Sequence, residues 1–168
     1  MKKELIERIE VGSGGASSIE FTGIPQDGKD LVLMFSGRGT ISSVSRFINV
    51  LFNADQDGNY NYMRLRGDGS TVTSASSATK YRLEIGLMPS ASATANTFGN
   101  CQAHITNYTS STPKPVSTDS VTENNATEAY ANLVANTWDG PAITSINIST
   151  SGNIAEHSTA SLYRVVTE

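Results

Sequence analysis

A single cysteine, Cys101, excludes any disulfide within the chain. The fold must therefore hold without covalent staples, which suits assembly in a reducing cytoplasm. Histidine is almost as scarce. His104 and His157 are far apart, and two isolated histidines do not form a recognisable zinc signature. Charged residues make up only 17% of the 168 positions, and the net charge is −4. The densest basic spot is the Lys2–Lys3 pair, too little for a nucleic-acid footprint. No apolar run approaches the ~20 residues a membrane-spanning helix needs. The opening MKKELIERIEV has a basic pair but lacks the apolar stretch of a secretory signal. Neither nucleic acid nor membrane is expected as a partner.

Ser, Thr, Asn and Gly fill the space left by charge and large apolar groups. Thr suits a pleated, half-buried strand. Period-two alternation recurs along the chain. It is clear in Leu5–Val11, Ile19–Ile24, Arg46–Asn53, Tyr60–Gly67 and Tyr81–Met88. Asp30–Arg38 is a nearly unbroken apolar run of strand length, the mark of a strand covered on both faces. Cys101–Tyr108, Pro115–Glu123, Ala142–Thr150 and Ser161–Glu168 continue the series. Turn signals separate the segments, among them Gly12–Gly15, Pro25–Gly28, Asp55–Asn59 and Gly67–Ser70. The spacing predicts one all-β domain over residues 1–168, an antiparallel, jelly-roll-like β-sandwich of about ten short strands. At most one short helix is expected, in Ala126–Trp138, where helix and strand spacings both fit. Two Ser/Thr/Ala-rich segments, Ser70–Lys80 and Pro89–Asn100, read as long loops. Residues 1–4 read as a flexible end, with the first strand beginning by about Leu5.

Catalysis needs a nucleophile, a base or a metal in convergent positions, and little here offers one. No GxSxG is present, and Gly12–Gly15 joins two strands rather than cradling phosphate before a helix. Asp55–Asn61 (DQDGNYN) offers clustered oxygens. Its Gly58 falls fourth, however, and Arg66 stands where an EF-hand needs its twelfth-position Glu. The segment reads as a turn, with a weak calcium site as the alternative. Arg66–Asp68 spells RGD on what is ordinary hairpin-turn chemistry, and His104 reads as a structural histidine in a strand. Tyr60, Tyr62, Tyr81, Tyr108, Tyr130 and Trp138 read as core or subunit interface, with sugar stacking as the alternative. No enzyme activity, cofactor or resident metal is expected.

Four long phrases carry a resemblance: Arg8–Arg38 with its IEFTGIPQ, Ile48–Ser70, Met88–Tyr108, and Thr118–Ile148 followed by STASLYRV at Ser158–Val165. Together they cover nearly the whole chain. They resemble a family of small virion proteins from tailed bacteriophages, marine ones especially. The resemblance implies a jelly-roll-like sandwich on the outside of a phage particle and transfers no catalytic residue. The chain departs from the family pattern by ending in Arg164–Glu168 rather than a Gly-containing tail.

Three functions follow as expectations. The first is a capsid decoration protein on the outer surface of the head, the second a tail-fibre or receptor-binding subunit directed at host surface glycans. The third is a free-standing carbohydrate-binding module. The absence of a heptad tract or repeat favours decoration over a fibre. The expected partners are the major capsid protein or another virion protein, and further copies of the chain, with a trimer ahead of a dimer. The expected location is the virion, assembled in the bacterial cytoplasm. The expected contacts are Lys2, Lys3, Glu4 and Leu5, and less firmly the two Ser/Thr/Ala segments.

Overall fold

The period-two pattern becomes twelve antiparallel strands in a computed structural model that describes residues 2–124 and 128–166. They are β1 (Lys2–Glu10), β2 (Ala16–Phe21), β3 (Asp30–Gly37), β4 (Ser45–Phe52), β5 (Tyr60–Gly67), β6 (Val72–Lys80), β7 (Leu83–Pro89), β8 (Gly99–Ile105), β9 (Lys114–Thr122), β10 (Tyr130–Trp138), β11 (Ile146–Ile154) and β12 (Thr159–Val166). Eight form one sheet in the order β1-β12-β3-β8-β9-β10-β5-β6. Four form the other, β2-β11-β4-β7. The result is a β-sandwich.

The order of the strands resolves it further. β1-β12-β3-β8 facing β2-β11-β4-β7 is the eight-stranded jelly roll, in which the chain repeatedly crosses between the sheets. Two insertions enlarge it. The β5–β6 hairpin enters between β4 and β7, and β9–β10 enters between β8 and β11. Both add to one edge of the larger sheet, and β10 is the seam that pairs β9 on one side and β5 on the other.

Between the sheets, inward positions close on one core. Leu31, Leu33 and Phe35 of β3 meet Ile48, Val50 and Phe52 of β4, with Leu83, Ile85, Ile146, Ile148 and Leu162, all fully or nearly fully buried. Burying each such side chain contributes about 1.5–3 kcal/mol relative to leaving it in water. Gly86 shows how tightly β7 presses on the larger sheet. Its φ is 154°, and a Cβ there would sit 2.2 Å from Ser120 Oγ.

Four expectations change. Twelve strands replace about ten, and the two additional ones are β6 and β10. The segment that allowed a helix is β10, because Asn132, Val134, Asn136 and Trp138 face inward while the residues between them face out. Among the described residues there is no helix, and 126–127 lie outside them. Ser70–Lys80 is no loop but mostly β6, an edge strand hydrogen-bonded to β5. Lys2–Glu4 are not a loose end. They pair in register with Arg164–Val166 of β12, and Arg164 forks onto Glu4 at 2.9 and 3.1 Å.

Candidate interaction surfaces

The smaller sheet packs on the inner face of the larger one, and among the described residues no element covers the larger sheet's outer face. Directly opposite residues on adjacent strands share a face. One such row runs Leu5, Tyr163, Val32, His104, Ser117, Ala135, Met63 and Ser76 across all eight strands. On the inserted half, the outward positions of β9, β10, β5 and β6 are apolar or small and uncharged, with Asp119 as the one ionic side chain.

Large apolar groups stand in water there. Met63 is 63% exposed, Leu133 61% and Val72 72%, with Leu65 and Val121 about half exposed. Met63, Leu65, Leu133 and Ala135 ring a shallow apolar depression of about 410 Å³. Leu65, Val72, Val121 and Leu133 ring its neighbour. A contiguous patch of this kind marks an interaction surface, whereas scattered single apolar residues do not.

β10 explains why the patch exists. Its polarity is inverted, with Asn132 and Asn136 buried and Leu133 exposed. The buried amides are anchored, Asn132 Nδ2 donating to Ser120 Oγ at 3.2 Å and Asn136 Nδ2 to the Glu84 carbonyl at 3.5 Å. The signal in the sequence was the Asn–Leu–Val–Ala–Asn order of Asn132–Asn136, legible only once the segment is known to be a strand.

The expected contact residues divide. Leu5, 55% exposed, lies in the same outer row as Met63, at the far edge of the sheet. Lys3 is opposite Val165 at that edge, beside the Asp30–His104 pair, in which the two side chains are 3.2 Å apart. Lys2 and Glu4 instead pair with each other at 3.1 Å. Of the two expected loops, only 90–98 remains between strands. Arg38 pins it, its guanidinium donating to the carbonyls of Ala93, Thr94 and Thr97 at 2.8–3.1 Å.

Other candidates resolve into structure. In the calcium-like turn, Asp55 accepts hydrogen bonds from Trp138 Nε1 at 2.7 Å, Asn59 Nδ2 at 3.0 Å and the Asp57 amide at 2.8 Å. Among the described residues no group of three His, Cys, Asp or Glu side chains could hold a metal ion. At the RGD turn Asp68 accepts from the amides of Thr71 and Ser70, which hold its carboxyl well below the usual range, and Arg66 lies 4.9 Å over the Tyr130 ring. The aromatics split. Tyr60, Tyr108 and Trp138 are buried, Tyr81 is exposed, and Tyr62 and Tyr130 are half-buried. His157 lies by the turn before β12, 3.7 Å from Glu10, and does not meet His104.

No family model, curated protein or solved structure matches the chain.

Proposed function

We propose that this domain is a structural protein of a tailed-bacteriophage virion that decorates the head, lying on the major capsid protein through the outer face of its larger sheet. The observation that carries this is the low-charge apolar face of β9, β10, β5 and β6. A decoration protein needs a broad, rigid contact repeated many times rather than a deep pocket. A laddered sheet supplies rigidity, and exposed Met63, Leu65, Val72 and Leu133 supply apolar area at about 1.5–3 kcal/mol per side chain fully buried. Leu5 and Lys3 extend the same face to the opposite edge, which keeps part of the N-terminal contact. Several copies bound together raise one another's effective concentration, so each contact can be weak. The jelly roll is shared by viral capsid and lectin domains, and this is a likeness of architecture only.

The test mixes the folded protein with undecorated shells and with isolated tails, then sediments each. The wild type should travel with shells, at a copy number that follows the shell lattice. A Met63→Asp, Leu133→Asp double variant should stay in solution while keeping its β-type circular dichroism. Full-strength binding by the double variant removes this face as the contact. Binding to tails but never to shells replaces decoration with a tail role.

A further inference from the structure

Where β5 passes the outside of the smaller sheet, four of the chain's seven arginines come together. We infer that Arg46, Arg66 and Arg82 form a binding cleft for an acidic sugar, a pyranose ring bearing a carboxylate, on the opposite side of the molecule's edge from the apolar face. The cleft encloses about 260 Å³ and is lined by Arg46, Arg66 and Arg82 with Phe47, Asn49, Leu87 and one carboxylate, Glu84. Phe47 and Leu87 are opposite one another on β4 and β7, on the side away from the core that Ile48 and Val50 enter.

The charges there are unbalanced. Arg64 is neutralised by Glu84 at 3.1 Å and is stacked 5.2 Å over the Phe47 ring. Among the described residues no carboxylate lies within 4.0 Å of Arg46, Arg66 or Arg82. Besides Glu84, Glu128 approaches the lining, accepting a hydrogen bond from Ser45 Oγ at 3.1 Å. A net positive cleft in a chain of net charge −4 is the reverse of the background. Arg46 Nε is buried with no acceptor among the described residues, and buried donors are normally satisfied.

The class of anion follows from the lining. Guanidinium forks match a carboxylate in two-point geometry. The exposed part of Phe47 offers a flat apolar surface for a sugar ring, and Ser45, Asn49 and Ser151 offer hydroxyl and amide partners for ring hydroxyls. The volume lies just below the usual range for ligand pockets, about 300–1,000 Å³, which fits one ring and not an extended nucleotide. The inference does not depend on which virion surface the domain covers.

The experiment titrates the full chain by calorimetry with a uronate oligosaccharide, a neutral gluco-oligosaccharide and inorganic sulfate. The uronate should bind saturably and the other two should not. Arg66→Gln and Arg82→Gln should each weaken uronate binding by about ten-fold or more. Arg8→Gln, which removes the same charge elsewhere, should leave it unchanged. Equal binding of the neutral sugar, or sulfate binding as tight as uronate, overturns the acidic-sugar assignment. Losses in the two variants no greater than in Arg8→Gln, or no saturable binding, overturn the site.

Discussion

The carboxylate of Asp55 ties the β4–β5 turn to the far end of β10 through Trp138. Trp138 is fully buried, packed edge-on to Phe52 at 5.3 Å and stacked with Tyr60 at 6.2 Å, with Lys114 Nζ 5.1 Å from its ring. Removing this acceptor, the only one among the described residues, should leave a buried indole N–H unpaired. Asp55→Ala is therefore expected to lower unfolding free energy by about 1–3 kcal/mol, read by urea denaturation at neutral pH. Burial raises the Asp55 carboxyl pKa, but the hydrogen bonds from Asn59, Trp138 and the Asp57 amide outweigh it and hold the group below its ordinary value. The folded state thus prefers the ionised form. That stability is complete above the ordinary Asp pKa and is lost as pH falls through the folded value. The difference between wild type and Asp55→Ala should narrow on acidification. Cys101 is the opposite case. Burial, with Asp119 adding to it, pushes its thiol up to about 12, and its Sγ faces the Ile85 carbonyl at 3.2 Å. A thiol reagent should leave the native protein unlabelled at pH 8 and label it after denaturation.

At the scale of elements, legibility followed burial. The strands legible in sequence are mostly those that feed the sandwich core, β4 by its alternation and β3 by its apolar run, although β3 is covered on one face only and Met34 on its outer side is exposed. β6 is not readable, because apart from the exposed Val72, VTSASSATK has no large apolar residue to mark a buried face. It is a strand because β5 offers it a ladder, and that contact is non-local. β10 was ambiguous because small residues satisfy helical and strand spacings alike, and two flanking strands decided between them. The outer patch and the arginine cleft both depend on β5 and its neighbours, so neither could be seen before the insertions were placed. Loop 90–98 was recognised as a loop, but its anchor was not, since Arg38 lies more than fifty residues earlier. Arg38→Ala should free that loop. Hydrogen exchange at its amides, such as Ala93, should accelerate well beyond exchange in β3 and β8, the signature of local rather than global opening.

The whole molecule joins an eight-stranded jelly roll to a four-stranded extension that shares its sheet. The roll supplies most of the core, to which the extension adds Tyr60, Val116 and Trp138, and the extension carries the exposed apolar patch. A chain that keeps such a face in water while displaying an uncovered edge strand, β6, is expected to associate with itself. Light scattering should give three times the 17.8 kDa chain mass, and a mass of one chain at all concentrations would rule the trimer out in solution. One further property follows from the pairing of β1 with β12. Lys2 faces Val166 across an antiparallel ladder, so both ends of the described chain leave from one corner of the sheet. Tension applied between them acts along the hydrogen bonds and loads them singly, from that corner inward. Such a geometry unzips at low force, whereas pulling between Lys2 of β1 and Thr159 at the opposite end of β12 would load the ladder in shear. In a force-clamp experiment the terminal attachment should yield first by peeling β1, with the remainder of the roll giving way in a later, separate step.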